Sequence, residues 1–234
     1  MAFSSFKDLV IDATDAARTA AFWADLLGLT AETAGAGPNA VLNGAVPEHT
    51  IWINQVPEPR TVKQRVHLDV HAAAVSDALR LGAVVDTEHP GWTVLRDPEG
   101  GEFCVFPRPP DQLPNYRLYE VVVDAADPAM ISSWWAERFG VPAGHDESDP
   151  WFWLDGGQAG LPWDLIFNPV PEPKSVKNRV HWDVWGDTED FLAAGATLLR
   201  ARDDPESTDI PDSHKISWDV LADPEGNEFC VFAR

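Results

Sequence analysis

The chain states one phrase twice. Val56–Val70, VPEPRTVKQRVHLDV, returns at Val170–Val184 as VPEPKSVKNRVHWDV, and Asp97–Arg108, DPEGGEFCVFPR, returns at Asp223–Arg234 as DPEGNEFCVFAR. A tandem duplication restricts the fold to architectures with internal likeness, and a residue type present in both copies is a candidate for shared fold or shared chemistry. The 234 residues suit two domains of roughly 115 residues each. The expected division is 1–110 and 111–234, with the boundary in the Pro-rich, polar stretch Pro109–Asn115.

Within the first copy, DLVIDATD at Asp8–Asp15 alternates like a strand, and Phe22, Leu26 and Leu29 recur at near-helical spacing, which predicts a helix over Ala16–Leu27. Asp15 is placed to cap that helix, and Asp127 followed by Pro128 opens its counterpart. Gly28 and Gly140 are placed to end the two helices. An apolar segment at Val41–Leu42 and a strand at His49–Val56 follow, giving β-α-β-β with room for a third strand. After the connector Pro57–Lys63 the order restarts: strand Arg65–His71, helix Ala73–Leu81, then strands Ala83–Glu88, Gly91–Arg96 and Glu102–Pro107. Asp97-Pro98-Glu99-Gly100 has Asp, Pro and Gly where a type I turn prefers them. Each copy thus reads as two β-α-β-β-β units, an α+β chain. The matching His67 and His181 lie 114 positions apart but the matching turns at Asp97 and Asp223 lie 126 apart, so about 12 residues are inserted near 202–215, as an acidic loop.

Lys and Arg number 17 against 38 Asp and Glu, a net charge of −21. That repels nucleic-acid phosphates. No apolar run approaches the ~18 residues of a membrane span, and the N-terminus lacks the pattern of a secretory leader, so a cytoplasmic protein is expected. The two cysteines, Cys104 and Cys230, occupy matching EFCVF segments and read as small buried hydrophobes, without a disulfide framework. Arg60, Lys63 and Arg65 recur as Lys174, Lys177 and Arg179, a cation cluster that either pairs with nearby carboxylates or meets an anionic ligand. Of eleven tryptophans, Trp182 stands where the first copy has Leu68, and Trp185 where it has His71. The second site is therefore expected to be lined more heavily by aromatic rings, which suit planar or cationic ligands.

Paired β-α-β-β-β units, FWADLLG and WWAERFG early in each copy, the central PEP(R/K)xVK(Q/N)RVHxDV and the closing DPEG(G/N)EFCVF resemble the vicinal oxygen chelate superfamily, in its glyoxalase/bleomycin resistance/dioxygenase branch. The resemblance covers almost all of both copies. It implies two tandem domains, each of two βαβββ units curling a mixed sheet into a cup with helices outside. The same fold hosts lyases, dioxygenases, thiol transferases and drug-binding proteins, so it does not name a reaction. In metal-dependent members, the first strand of the second unit brings a His, a place matched by His67 and His181. The opening strand of the first unit brings His or Gln, where this chain has Asp8 and Glu120. The closing strand brings a Glu four residues after the turn glycine, where this chain has Cys104 and Cys230, with Glu102 and Glu228 two residues earlier.

On that basis the metal candidates are Asp8, His67, Glu102, Glu120, His181 and Glu228, for a divalent ion such as zinc, manganese, nickel or magnesium. One His per copy falls short of a two-His-one-carboxylate iron site. Asp69 and Asp183 share a strand face with His67 and His181, so each pair reads either as an acid–base couple, with the imidazole kept protonated by its carboxylate, or as a buried polar anchor. The ligand-binding candidates are His67, Asp69, Glu102, His181, Asp183, Trp185 and Glu228. The expected function is binding of a small molecule in a sheet-lined cup. The alternative is a metal-dependent lyase or dioxygenase using His181, Glu120 and Glu228. Neither a nucleic acid nor a membrane is an expected partner, and the expected assembly is a monomer or homodimer.

Overall fold

A computed structural model describes residues 2–202 and 216–234, so the insertion expected near 202–215 lies, apart from Arg202, outside the described residues. Four units follow one another. The first is β1 (Ser5–Ala13), α1 (Ala16–Leu27), β2 (Thr30–Thr33), β3 (Ala40–Asn43) and β4 (Ile51–Gln55); the second is β5 (Val66–Ala72), α2 (Val75–Arg80), β6 (Val84–His89), β7 (Trp92–Arg96) and β8 (Glu102–Pro107). The third is β9 (Leu118–Ala125), α3 (Pro128–Phe139), β10 (Gly144–His145), β11 (Phe152–Leu154), the short α4 (Gly156–Ala159) and β12 (Asp164–Pro169). The fourth is β13 (Val180–Trp185), α5 (Thr188–Ala193), β14 (Thr197–Arg200), β15 (Asp219–Ala222) and β16 (Glu228–Phe232).

Local chemistry sets the boundaries. Asp15 accepts a hydrogen bond from the Arg18 N–H and Asp127 from the Met130 N–H, each 3.0 Å long, while Gly28 and Gly140 close the helices in the left-handed region at φ 74° and 71°. At the tip of the β7–β8 hairpin the Gly100 N–H bonds the Asp97 carbonyl, and the Asp97 side chain accepts from the N–H groups of Glu99 and Gly101. The third strand left open by the sequence is β2, whose four residues are all exposed. With no buried face, it has no apolar alternation to read.

Strand pairing crosses the repeats. β1 runs antiparallel to β13, with Val10 opposite His181, and β5 runs antiparallel to β9, with Leu68 opposite Val121. The first and fourth units therefore share one eight-stranded sheet, β14-β15-β16-β13-β1-β4-β3-β2, and the second and third share the other, β10-β11-β12-β9-β5-β8-β7-β6. Each cup is therefore assembled from one unit of each repeat, the units being exchanged between the copies.

One face of each sheet is apolar and carries the helices. Trp23 of α1, in the first sheet's layer, meets Phe103 of β8 in the second sheet edge-on at 5.2 Å between ring centres. Trp135 of α3 does the reverse, packing on Trp182 and Phe229 at 5.0 Å each. The long helices α1 and α3 thus lie outside the cups, as expected, and between the two sheets, and one continuous core draws on all four units. Such edge-to-face pairs add to the area they bury. One carboxylate in each repeat braces its two units. Glu99 accepts from the backbone N–H groups of Thr14 and Asp15, and Glu225 from those of Ala126 and Asp127. Two guanidinium groups brace the repeats against each other: Arg65 donates to the Glu172 carbonyl at 2.6 Å and Arg179 to the Glu58 carbonyl at 2.8 Å.

Candidate functional site

Along β5, Val66, Leu68 and Val70 are buried in the core, which turns His67, Asp69 and His71 to the open face. β8 runs parallel beside it with Cys104 opposite Asp69; in the first sheet, β16 sets Cys230 opposite Asp183. Each open face therefore has a cluster at its floor, His67–Asp69–Cys104 and His181–Asp183–Cys230, whose ligand atoms lie within 4.8 Å of one another. His67 Nε2 is 3.5 Å from Asp69 Oδ1, His181 Nε2 is 3.7 Å from Asp183 Oδ1, and Cys230 Sγ is 3.6 Å from His181 Nε2. On the neighbouring strand a second carboxylate faces each aspartate: Glu120 opposite Asp69, and Asp8 opposite Asp183.

Burial decides the charge of these clusters. It pulls His67 and His181 down to about 4, pushes Asp69 up to about 8 and Asp183 up to about 7, and raises both thiols. Glu120 raises Asp69 further, as Asp8 does Asp183, but Lys7 draws Asp183 back down. The imidazoles are accordingly neutral near pH 7, and the expectation of a His held protonated by its carboxylate is corrected: desolvation outweighs the attraction. At 3.5 and 3.7 Å the His–Asp contacts are also too long for hydrogen bonds. Among the described residues, Asp69 Oδ1, Asp183 Oδ1 and His181 Nδ1 are buried with no hydrogen-bond partner of good geometry, the Cys104 and Cys230 thiols being the donors beside the two carboxyls.

The remaining residues expected at the site are placed as follows. Glu102 accepts from Arg60 at 3.2 Å and from the Gln64 N–H; Glu228 accepts from Lys174 at 2.7 Å and from the Asn178 N–H. Both glutamates tie down the PEP(R/K) loops. Asp8 pairs with Lys7 and accepts from Trp52 Nε1 at 3.1 Å. Trp185 lies at the other end of the face, its ring edge-on to Phe232. The triple His181, Glu120 and Glu228 is not brought together, because β9 carries Glu120 into the second sheet while His181 and Glu228 stand in the first. It was drawn from a single repeat, and the repeats exchange units.

Several residues on the open faces escape the sequence pattern. A bulge between Phe6 and Asp8 leaves Lys7 without a partner position in β13, and its ammonium sits 4.2 Å from the Phe232 ring centre and 5.4 Å from that of Trp185. At the equivalent bulge in β9, Tyr119 stacks on His71 at 4.4 Å. A bulge breaks the two-residue period from which faces are assigned, so neither residue was legible. Cys104 and Cys230 are buried, as expected of small apolar residues, and with the parity of Glu102 and Glu228 they sit at the floor of the open faces. Of the two aromatic residues expected to line the second site, Trp185 reaches the open face, while Trp182 is turned into the core against Trp135, because it alternates with His181 and Asp183 along β13. The first sheet offers Trp52, Trp185, Trp218 and Phe232 around a lysine, and the second offers His71, Trp92, Phe106 and Tyr119.

The profile of the Glyoxalase-like domain family matches residues 8–106 and again 120–232. The chain belongs to the glyoxalase-like domain family. Among solved structures, this glyoxalase-like chain is similar to glyoxalase I from Zea mays, at 14% identity and a TM-score of 0.68, covering 97% of this chain and 92% of that one. It is also similar to a putative dioxygenase from Bacillus subtilis, at 12% identity and a TM-score of 0.58, covering 98% and 84%. At such identities the likeness concerns the fold. No curated protein matches the sequence. Among the described residues no helix is long and apolar enough to cross a membrane.

The donors of each glyoxalase-like cup suit a borderline-soft divalent ion. A neutral imidazole, a carboxylate and a sulfur within one small space are the ligand types of zinc, and three protein ligands leave a fourth position open. Asp69 Oδ1 and Asp183 Oδ1, buried and without a well-placed partner among the described residues, are polar atoms that an ion would satisfy by displacing the carboxyl proton. The thiols favour zinc or nickel over manganese and magnesium, which prefer oxygen.

Proposed function

We propose that each sheet binds a small organic molecule on its open face, seated over the His–Asp–Cys floor. The carrying observation is the pair of buried aspartate oxygens, Asp69 Oδ1 and Asp183 Oδ1, at the same place in both sheets and, among the described residues, without a partner of good hydrogen-bond geometry. Buried acceptors without donors are rare in native proteins, and a ligand hydroxyl, amine or bridging water supplies the missing partner. The aromatic walls supply stacking area for a planar molecule. On this reading 1–110 and 111–234 are the units of duplication and the two shared sheets are the units of binding. Since each cup is completed within one chain, a monomer suffices, and two free buried cysteines suit a reducing, cytoplasmic setting. Thermal-shift screening with aromatic carbonyl compounds and cationic antibiotics tests the reading. A genuine hit stabilises the wild type and loses its shift in Asp183→Asn or Asp69→Asn; shifts unchanged in both variants contradict it.

A second reading rests on the donor set itself: a zinc-class ion held by His181, Asp183 and Cys230, or by His67, Asp69 and Cys104. Such an ion supplies Lewis acidity to a substrate carbonyl or hydroxyl. Around it, Asp8 or Glu120 is the nearby carboxylate placed to move a proton. Cobalt loading reads this directly. A sulfur-to-cobalt charge-transfer band that disappears in the Cys104→Ser/Cys230→Ser double variant supports it, and no band, with no zinc-dependent rise in Tm, contradicts it.

A further inference from the structure

Away from both His–Asp–Cys floors, the two copies of the PEP(R/K)xVK loop face each other across a cavity of about 550 Å³. Its lining includes five basic side chains, Arg60, Lys63, Arg65, Lys177 and Arg179, against three acidic ones, Glu58, Asp124 and Glu172, in a chain whose net charge is −21. The lysines are already committed, Lys63 to Asp124 at 2.7 Å and Lys177 to Asp12. Of the two central arginines, Arg65 makes no ion pair among the described residues and Arg179 makes only a long one. Arg65 donates to the backbone carbonyls of Glu172 and Asp124, and Arg179 to that of Glu58, with Glu99 the nearest carboxylate at 4.0 Å. Carbonyl oxygens satisfy N–H groups but leave the Arg65 charge standing, and the Arg179 charge is offset only by the long Glu99 contact. Among the described residues, one N–H nitrogen on each arginine, Arg65 Nε and Arg179 Nη2, is buried without an acceptor.

We propose that this cavity binds an amphiphilic organic anion, its charged head between Arg65 and Arg179 and its apolar body against the valines and prolines of the loops. A carboxylate, sulfonate or phosphate ester offers the planar or forked oxygens that guanidinium groups recognise. The apolar part of the site is unusual for a surface loop: Val62 and Val176, equivalent residues of the two copies, are 40% and 42% exposed, and Pro59 and Pro173 continue their surface. The volume lies within the range of small-molecule pockets, ~300–1,000 Å³. Because the loops are anchored by Glu102 and Glu228, whose strands also carry Cys104 and Cys230, the site adjoins both cups while sharing none of their floor residues.

The probe is 8-anilinonaphthalene-1-sulfonate, titrated into the folded full-length chain and read by fluorescence and calorimetry, with near-ultraviolet circular dichroism verifying each variant. The expected result is one site per chain, weakened by salt. Affinity should fall roughly tenfold or more in Val62→Asp and in Val176→Asp, exposed positions where an added carboxylate meets the anion. Arg179→Lys, which keeps the charge but loses the fork, should weaken binding less than either, and His181→Ala should leave it unchanged. Absence of binding at millimolar probe overturns the proposal. So does binding that survives both valine variants, or that is lost in His181→Ala, which would place the probe in a cup.

Discussion

Glu99 and Glu225 occupy the third position of the DPEG turn, where the turn itself asks for no particular side chain. Their recurrence has a mechanical cause. Glu225 accepts from the Ala126 N–H at 2.9 Å and the Asp127 N–H at 2.6 Å, and Glu99 accepts from the Thr14 N–H at 2.8 Å and the Asp15 N–H at 3.1 Å. Each carboxylate thus fastens the last hairpin of a repeat, in one sheet, to the strand–helix junction of that repeat's first unit, in the other sheet. Hydrogen bonds to a charged group contribute about 1.5–3 kcal/mol each. Two of them at a half-buried site place the loss in Glu225→Ala at about 2–4 kcal/mol, and Glu99→Ala, which also loses the Thr14 hydroxyl bond at 2.8 Å, should cost at least as much. The Gln variants, which keep an acceptor but lose the charge, should fall between. Urea denaturation of the single and double Ala variants reads this directly, and the two losses should add to within about 0.5 kcal/mol because the braces share no partner. Losses below 0.5 kcal/mol for both single variants would refute the idea that these carboxylates hold the units together.

Asp97 gives a pH signature. Burial raises its carboxyl to about 6, above the unfolded value near 4, so the native state keeps a proton that the unfolded chain releases, and stability falls as pH rises through that window. Asp97→Asn has no such group, so its stability relative to wild type should climb by up to ~3 kcal/mol between pH 4 and 6, at ~1.4 kcal/mol per unit; a flat difference in urea midpoints contradicts this. Gly28 and Gly160 separate backbone strain from collision. Both have positive φ, but a Cβ at Gly28 would lie 2.3 Å from the Asn115 carbonyl oxygen of the inter-repeat linker, whereas Gly160 faces open space. Gly160→Ala should cost about 1–2 kcal/mol, and Gly28→Ala at least twice as much; equal losses would show that the linker does not dock there.

Much of the fold was legible because its punctuation is chemical. Asp15, Asp127, Gly28 and Gly140 mark helix ends, and the Asp97 turn marks a hairpin, through local hydrogen bonds and backbone preferences that need no tertiary partner. Which strand lies beside which was not legible. Val66–Val70 and Val180–Val184 carry the same alternation whether they pair within a copy or across copies, and the choice falls to the arrangement of all four units. The site was readable to the extent that strand parity holds. His67, Asp69, His181 and Asp183 follow it, while the bulges that turn Lys7 and Tyr119 toward the open faces break it. Glu102 and Glu228 have the right parity, but the basic residues of the PEP(R/K) loops, far away in sequence, claim their carboxylates.

The central claim is that each cup is built from both repeats, and a double-mutant cycle on its carboxylates tests it most directly. Asp8 stands opposite Asp183, 175 positions further along the chain, and Glu120 opposite Asp69. Urea denaturation at pH 7 of Asp8→Asn, Asp183→Asn, Asp69→Asn and their pairs yields the coupling energies. The exchanged arrangement predicts coupling of about 0.5 kcal/mol or more between Asp8 and Asp183, and additivity within about 0.5 kcal/mol between Asp8 and Asp69. The opposite pattern, Asp8 coupled to Asp69 and independent of Asp183, would mean that each repeat closes its own cup.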